Sequence, residues 1–140
     1  MKTDYDIEIE EKVKSLQVSV KIHRENDFCF EKLEQNYPIG LNRIDWEEVD
    51  DKLFKLVEDQ NKQGELFSQF LSEVETKYPK IKDGELIVFG DDSINQAYQM
   101  SYETFKKMSM EFISLPQHTY ILVSSNKCLN YTFEDEMYFG

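Results

Sequence analysis

Carboxylates are the most abundant chemically active groups in this chain, and their arrangement favours binding over catalysis. The chain carries 28 acidic and 16 basic residues, which gives a formal net charge of −12. Residues 83–104 include five acids and no Lys or Arg, and a second acidic run at 134–136 is followed by two aromatic residues. A negative field of this kind attracts basic surfaces, and it disfavours nucleic acid or anionic lipid as a partner.

We expect these two acidic segments to lie on one side of the fold and to bind a basic protein. Opposed electrostatic fields accelerate encounter, and desolvated aromatic side chains hold a complex together. The predicted partner-binding residues are Asp83, Glu85, Asp91, Asp92, Glu103, Glu134, Asp135, Glu136, Tyr138 and Phe139. The alternative is that each acidic run is only a solvated face of the protein.

The sequence contains no motif that is typical of an enzyme. It has no Gly-x-Ser-x-Gly nucleophile segment, no phosphate-binding loop among its five glycines, and no His-Glu-x-x-His zinc motif. Asp91 and Asp92 follow a predicted strand, and a turn with Asp92 capping a following helix explains them better than acid–base catalysis does. We therefore expect a binding protein without catalytic activity or cofactor.

Cysteine and histidine are the remaining candidates for metal binding. Cys29 and Cys128 lie far apart in the chain, and neither forms a closely spaced pair with His23 or His118. Structural zinc sites depend on such close pairs, so no metal site is predicted. Buried free thiols are the preferred interpretation, and a Cys29–Cys128 disulfide is an alternative that a reducing compartment disfavours.

The elements that position these residues begin with a predicted hairpin. Tyr5, Ile7 and Ile9 alternate with acids, which predicts a strand with one acidic face, and a second alternation over 16–22 predicts its partner. Residues 26–43 have poor periodicity, and we expect a loop there with a short helical turn at 30–35.

Three helices are predicted in the middle of the chain. The first begins at Asp45, where a capping box with Glu48 coincides with a hydrophobic staple, and its apolar stripe reaches Val57. The second covers 67–78 and ends before a proline, and the third covers 94–115 with a possible interruption near Met100-Ser101.

The remaining segments read as strands and complete an α+β fold. Strands are predicted at 85–89, 119–125 and 128–133, and the acidic, aromatic segment 134–140 is either an edge strand or a tail. We expect one domain over 1–140, with a mainly antiparallel sheet formed by N- and C-terminal strands and the central helices packed on one face.

The hydropathy pattern bears on the compartment. Apolar runs reach only four residues, and the first residues lack the apolar stretch of a secretory signal. We therefore expect a cytoplasmic protein that does not interact with membranes.

In size, acidity and layout, the chain resembles the small acidic immunity proteins that bacteria carry beside polymorphic or contact-dependent growth-inhibition toxins. The segments that carry the resemblance are the N-terminal predicted hairpin, Ile44-Asp45-Trp46-Glu47-Glu48, the strand at 85–90 and the acidic, aromatic end. The resemblance implies an antidote that binds a toxin domain, often a nuclease, and covers its active site, with no catalytic residue of its own.

Three alternatives remain open from the sequence. A nucleic-acid mimic would use a row of carboxylates in place of phosphates, and the acids at 4, 6, 8 and 10 are the candidate row. An adaptor subunit would form a stable oligomer. An enzyme without a familiar motif would show an apolar cleft lined by titratable groups.

Overall fold

A computed structural model describes residues 1–124 and 126–140, and in that part of the chain it has four α-helices and nine β-strands. The helices are α1 (Asp4–Leu16), α2 (Asp27–Asn36), α3 (Gln63–Lys77) and α4 (Tyr102–Ile113). The strands are β1 (Lys21–His23), β2 (Ile39–Gly40), β3 (Arg43–Ile44), β4 (Leu53–Leu56), β5 (Glu85–Gly90), β6 (Ala97–Ser101), β7 (Thr119–Ser124), β8 (Lys127–Tyr131) and β9 (Glu136–Phe139). Short 3₁₀ helices lie at Trp46–Glu48, Gln60–Lys62 and Pro79–Lys82.

Seven strands form one sheet in the order β1-β6-β5-β7-β8-β9-β4, and β2 and β3 form a separate hairpin. Every pair of neighbouring strands is antiparallel. The predicted α+β class with a mainly antiparallel sheet is therefore confirmed. Because β9 lies between β8 and β4, the two interpretations of segment 134–140, an edge strand or a tail, are both wrong.

The two faces of the sheet are covered by different helices. Alternate residues of the strands, such as Val88 and Ile121, join a large core with α1, α3 and α4. Their neighbours Phe89 and Tyr120 face a second cluster that includes residues of α2. The central helices α3 and α4 pack on one face of the sheet, as predicted, and α2 covers part of the other face. This helix lies in the segment predicted as a loop with a short helical turn at 30–35, and its buried residues are Cys29 and Leu33.

The N-terminal segment is a helix, so the predicted strand at 4–10 and its hairpin are wrong. Thr3 caps α1 by accepting a hydrogen bond from the backbone N–H of Asp6, and the Asp6 carboxylate accepts one from the backbone N–H of Thr3 at 2.8 Å. Tyr5 and Ile7 are 39% and 40% exposed, so their alternation with acids does not mark a buried strand face. Asp6 is buried, which breaks the row of carboxylates that a nucleic-acid mimic would use.

The helix predicted from Asp45 is also wrong. Asp45 makes no capping hydrogen bond, and the chain forms a single 3₁₀ turn before entering β4. The Trp46 indole N–H donates to Asn130 Oδ1 at 2.9 Å, and β4 pairs along its length with β9. These long-range contacts override the local capping signal.

The segment predicted as one long helix at 94–115 divides into β6 and α4. Ser101 ends the strand and caps the helix, since its side chain accepts from the backbone N–H of Thr104 at 3.2 Å. The possible interruption near Met100-Ser101 is therefore the true start of the helix. The element that follows Asp92 is the strand β6 and not a helix, so the predicted capping role of Asp92 is wrong.

The strand predicted at 16–22 is wrong over most of its length, because α1 extends to Leu16 and β1 covers only Lys21–His23. The remaining predicted elements are confirmed. The helix at 67–78 corresponds to α3, and the strand at 85–89 corresponds to β5. The strands predicted at 119–125 and 128–133 correspond to β7 and β8, although the second ends at Tyr131. The predicted end of the first, Ser125, lies outside the described residues.

Candidate partner-binding surface

The predicted acidic residues lie at two opposite ends of the sheet. Glu85 begins β5 and lies opposite Ser101, whereas Gly90 ends β5 and lies opposite Thr119. Asp83, Glu85 and Glu103 therefore share one end, and Asp91, Asp92, Glu134, Asp135 and Glu136 share the other. A strand of six residues separates the two groups by about 20 Å, so the single patch expected from the sequence does not form.

Only one of the two predicted aromatic anchors reaches the surface. Phe139 is 1% exposed and belongs to the large core, so it is not available to a partner. Tyr138 points to the opposite face, where it stacks on Trp46 with ring centroids 5.1 Å apart and also packs against Phe54 at 5.0 Å. Burial, together with the nearby charges of Glu136 and Glu134, raises the pKa of Tyr138.

Part of the negative charge at the Asp91 end is neutralised within the fold. Arg43 Nη1 donates to both carboxylate oxygens of Glu134, at 3.0 and 2.8 Å. This hydrogen-bonded ion pair lowers the pKa of Glu134 and raises that of Arg43. His118 accepts at Nδ1 from the backbone N–H of Phe133 at 3.2 Å, and its own backbone N–H donates to Asp91 Oδ1 at 2.9 Å. Glu134 and Asp91 thus hold the loops at this end together.

A cleft of about 370 Å³ lies beside Glu134. Its floor is formed by side chains of the sheet, including Asn130 and Tyr138. Its wall is formed by the β2–β3 hairpin and by the following residues Asp45, Trp46 and Glu47. The Trp46 indole bonded to Asn130 connects wall and floor and fixes the distance between them.

The cleft is acidic, because its lining carries three carboxylates and one guanidinium. Asp45, Glu47 and Glu136 line it, and Arg43, the one cation in the lining, is paired with Glu134. Among residues 1–124 and 126–140, no Lys, Arg or His nitrogen lies within 4.0 Å of those three carboxylates. The negative field therefore remains directed into the cleft.

Next to the cleft, part of the sheet is left uncovered on the α2 side. Phe54 lies opposite Tyr138 and Leu56 lies opposite Glu136 in the β4–β9 pair. Phe54 is 52% and Leu56 is 43% exposed, whereas the strand residues beneath α2 are buried. We call Phe54, Leu56, Glu136 and Tyr138 the open sheet face. It combines an apolar surface with the acidic cleft that it adjoins.

The tip of the β2–β3 hairpin carries an exposed leucine in an unfavourable backbone conformation. Leu41 and Asn42 form the two-residue turn with φ of 54° and 65°, and Leu41 is 93% exposed. A left-handed conformation costs a branched residue roughly 1 kcal/mol more than it costs Asn.

Replacing Leu41 with Asn should therefore stabilise the free protein. We expect the free energy of unfolding to rise by about 0.5–1 kcal/mol, because Asn tolerates the left-handed region and exposes no apolar surface. Urea denaturation of the variant and the wild type measures the difference. The matched variant Leu16→Asn, at a 37% exposed position with no positive φ, should give no such gain.

Only part of this surface is predictable from the sequence. Glu136 and Tyr138 are predicted binding residues, and the predicted Glu134 lies beside the cleft. The sequence pattern instead favours a helix at Asp45, Trp46 and Glu47 and a loop at the hairpin. A usable signal was the Gly40-Leu41-Asn42 segment, since Gly and Asn favour turns. No sequence pattern pointed to Phe54 and Leu56 as exposed.

The two cysteines, which were the other candidates for chemistry, are core residues. Cys29 and Cys128 are free and buried, as preferred, and burial raises the pKa of Cys29 to about 12. Within residues 1–124 and 126–140, no three side chains of His, Cys, Asp or Glu are placed to hold a metal ion. In the same part of the chain, no helix has the length and apolar character needed to cross a membrane.

Comparison of the chain with protein-family models, with curated proteins and with solved structures gives no match.

Proposed function

We propose that this chain is an antidote of the immunity-protein type, which binds a basic toxin domain such as a nuclease in the cytoplasm and blocks its active or substrate-binding surface. The net charge of −12 supports a basic partner, because opposed fields raise the association rate. The described residues also provide a defined surface on which that charge acts.

The observation that carries the proposal is the acidic cleft beside the open sheet face. Among residues 1–124 and 126–140, Asp45, Glu47 and Glu136 form no ion pair within 4.0 Å, and they lie beside Tyr138 and an exposed apolar strip. Stable protein interfaces combine apolar or aromatic anchors with charges that set orientation and association rate. A nuclease presents cationic side chains to phosphate, so its substrate site is complementary to this surface.

The test is to mix the purified chain with the toxin encoded beside it and to measure binding and toxicity. We expect a one-to-one complex, loss of toxin activity, and an affinity that falls as salt concentration rises. Absence of a complex together with absence of protection would refute the proposal.

Two sets of charge variants locate the binding surface. The cleft variant is Asp45→Asn with Glu47→Gln and Glu136→Gln. The matched control is Asp83→Asn with Glu85→Gln and Glu103→Gln, which changes the net charge equally at the other end of the sheet. We expect the cleft variant to weaken toxin binding by about tenfold to a hundredfold, mainly through slower association, and the control by less than about twofold.

Circular dichroism of both variants checks that the fold is retained. An equal loss in the two variants would mean that only total charge matters. A larger loss in the control would place the partner at the Asp83 end.

A further inference from the structure

Resting on the proposed function, we infer that the cleft receives an arginine side chain of the partner, while an apolar residue beside that arginine packs on the open sheet face. The cleft and the open sheet face share Glu136 and Tyr138, so one continuous segment of a partner contacts both.

The open sheet face favours an apolar contact from a different protein and not from a second copy of this chain. Phe54 and Leu56 are half exposed on β4, which is an edge strand of the sheet. Asp50 and Asp51 precede this strand, and Glu58 and Asp59 follow it. Antiparallel pairing of two copies through β4 would bring these acids together, and like charges at an interface are destabilising. A basic partner has the complementary charge.

The contact uses the face of β4 and not its free edge. Lys55, between Phe54 and Leu56, points to the other side of the sheet and pairs with Glu73 at 3.1 Å. An inward-pointing charge on an edge strand is a common protection against the addition of another strand. Phe54 and Leu56 remain exposed on the opposite face of the sheet.

Arginine fits the cleft better than lysine does. The carboxylates occur on two sides, with Glu136 on the floor and Asp45 and Glu47 on the wall. A planar guanidinium has five donors in a fixed arrangement, so it can donate hydrogen bonds to carboxylates on two sides at once. An ammonium is a compact and strongly hydrated charge. Guanidinium also lies favourably against aromatic surfaces such as Tyr138.

Trp46 provides a reporter for this test. It is the single tryptophan of the chain, and it lines the cleft. The indole N–H signal of ¹⁵N-labelled protein is followed while short peptides are added. The probes are Gly-Leu-Arg-Leu-Gly, the same peptide with Lys at its centre, and the same peptide with citrulline, which keeps the shape of arginine without its charge.

We expect the arginine peptide to shift the Trp46 signal with a dissociation constant at least about fivefold lower than that of the other two peptides. Asp45→Asn with Glu136→Gln should remove this preference, and Asp83→Asn with Glu85→Gln should leave it unchanged. Equal binding of the arginine and lysine peptides, or binding that is insensitive to the cleft variant, overturns the inference.

A separate variant tests the apolar contact. Phe54→Ser should weaken the Leu-containing peptide several-fold, and it should not change the binding of Gly-Gly-Arg-Gly-Gly. Phe54 is on the surface, so circular dichroism should show an intact fold. An unchanged affinity for the Leu peptide overturns this half of the inference, as does a concentration-dependent dimer of the free chain that Phe54→Ser abolishes.

The outcome also separates this inference from the proposed function. If the arginine peptide binds the cleft but the neighbouring toxin is neither bound nor inhibited, the antidote role fails while the specificity of the cleft stands. If the toxin is neutralised but the cleft variants and the peptide have no effect on that complex, the antidote role stands and the arginine site is refuted.

Discussion

Asp6→Asn is expected to lower the free energy of unfolding by about 3 kcal/mol, because it disrupts a buried charged hydrogen-bond network. The carboxylate of Asp6 accepts from the backbone N–H groups of Thr3, Asn95 and Gln96, at 2.8, 3.0 and 3.3 Å. It also accepts from the Tyr98 hydroxyl at 2.7 Å. An amide turns one acceptor oxygen into a donor that faces donors, so the start of α1 loses its attachment to the loop before β6.

This prediction includes a pH dependence. Burial alone would raise the pKa of Asp6, but the hydrogen bonds from Thr3, Asn95, Tyr98 and Gln96 together lower it. A lowered pKa in the folded state means that the stabilisation is complete above the unfolded pKa of about 3.9 and is lost as the pH falls through the lower folded pKa. The stability difference between wild type and Asp6→Asn should therefore be constant near neutral pH and shrink below about pH 4.

Urea denaturation across this pH range measures the difference, and Asp4→Asn is the matched control in the same helical turn. Asp4 is exposed, so its replacement should cost only a few tenths of a kcal/mol, roughly the helix-dipole contribution. Similar losses for the two variants would contradict the assigned role of Asp6.

Gly90→Ala should destabilise the fold by about 2–3 kcal/mol through a steric clash. A Cβ at position 90 would overlap the terminal atoms of the buried Gln117 carboxamide. That carboxamide accepts from the backbone N–H of Ser93 at 2.8 Å and donates to Thr119 Oγ1 at 3.1 Å. Moving it away breaks both bonds. Gly90 does not have a positive φ, so the cost comes from packing and not from the backbone.

Gly84→Ala is the matched control, because a Cβ at that position meets no atom within 4 Å and its φ is also not positive. It should be neutral or stabilise by about 0.4–1 kcal/mol through the unfolded chain. In a Gln117→Ala background, Gly90→Ala should cost much less than it does in the wild type. An unchanged cost in that background would show that Gln117 is not the obstacle.

The elements that the sequence predicted correctly are those whose local pattern and tertiary contacts agree. In α3, Phe67, Phe70, Leu71 and Val74 follow helical spacing, and all are buried. The sequence of α1 fits both a strand period and a helix period. Tyr5, Ile7 and Ile9 alternate as in a strand, whereas the buried residues Asp6 and Ile9 follow helical spacing. Alternation alone did not distinguish these two cases.

Tertiary pairing explains the errors in the middle of the chain. The spacing of Tyr98, Ser101 and Phe105 fits a helix, yet β6 is held between β1 and β5. The capping signal at Asp45 was similarly overridden by the Trp46–Asn130 bond and the β4–β9 pairing. Neither partner strand can be recognised from the segment itself.

The negative charge of the proposed binding surface was predictable from the sequence, but its position was not. The net charge favours a basic partner as a hypothesis, and residues 134–138 belong to one part of the proposed surface. The cleft joins residues 40–47 to residues 130–138, and no local pattern reports that these segments meet. In the sequence, the acids at the Asp83 end cannot be distinguished from those at the Asp91 end. They lie apart because β5 runs from one end of the sheet to the other.

Because β9 lies between β8 and β4, β4 has no strand to pair with until residues 136–139 have been synthesised. During translation, Phe54 and Leu56 therefore leave the ribosome long before their neighbours in the sheet exist. Pairing over so long a stretch of chain is slow, and an unpaired apolar strand is prone to aggregate or to recruit a chaperone. Biosynthesis of this protein should thus be most vulnerable at the β4 segment, which joins the sheet only after β9 is in place.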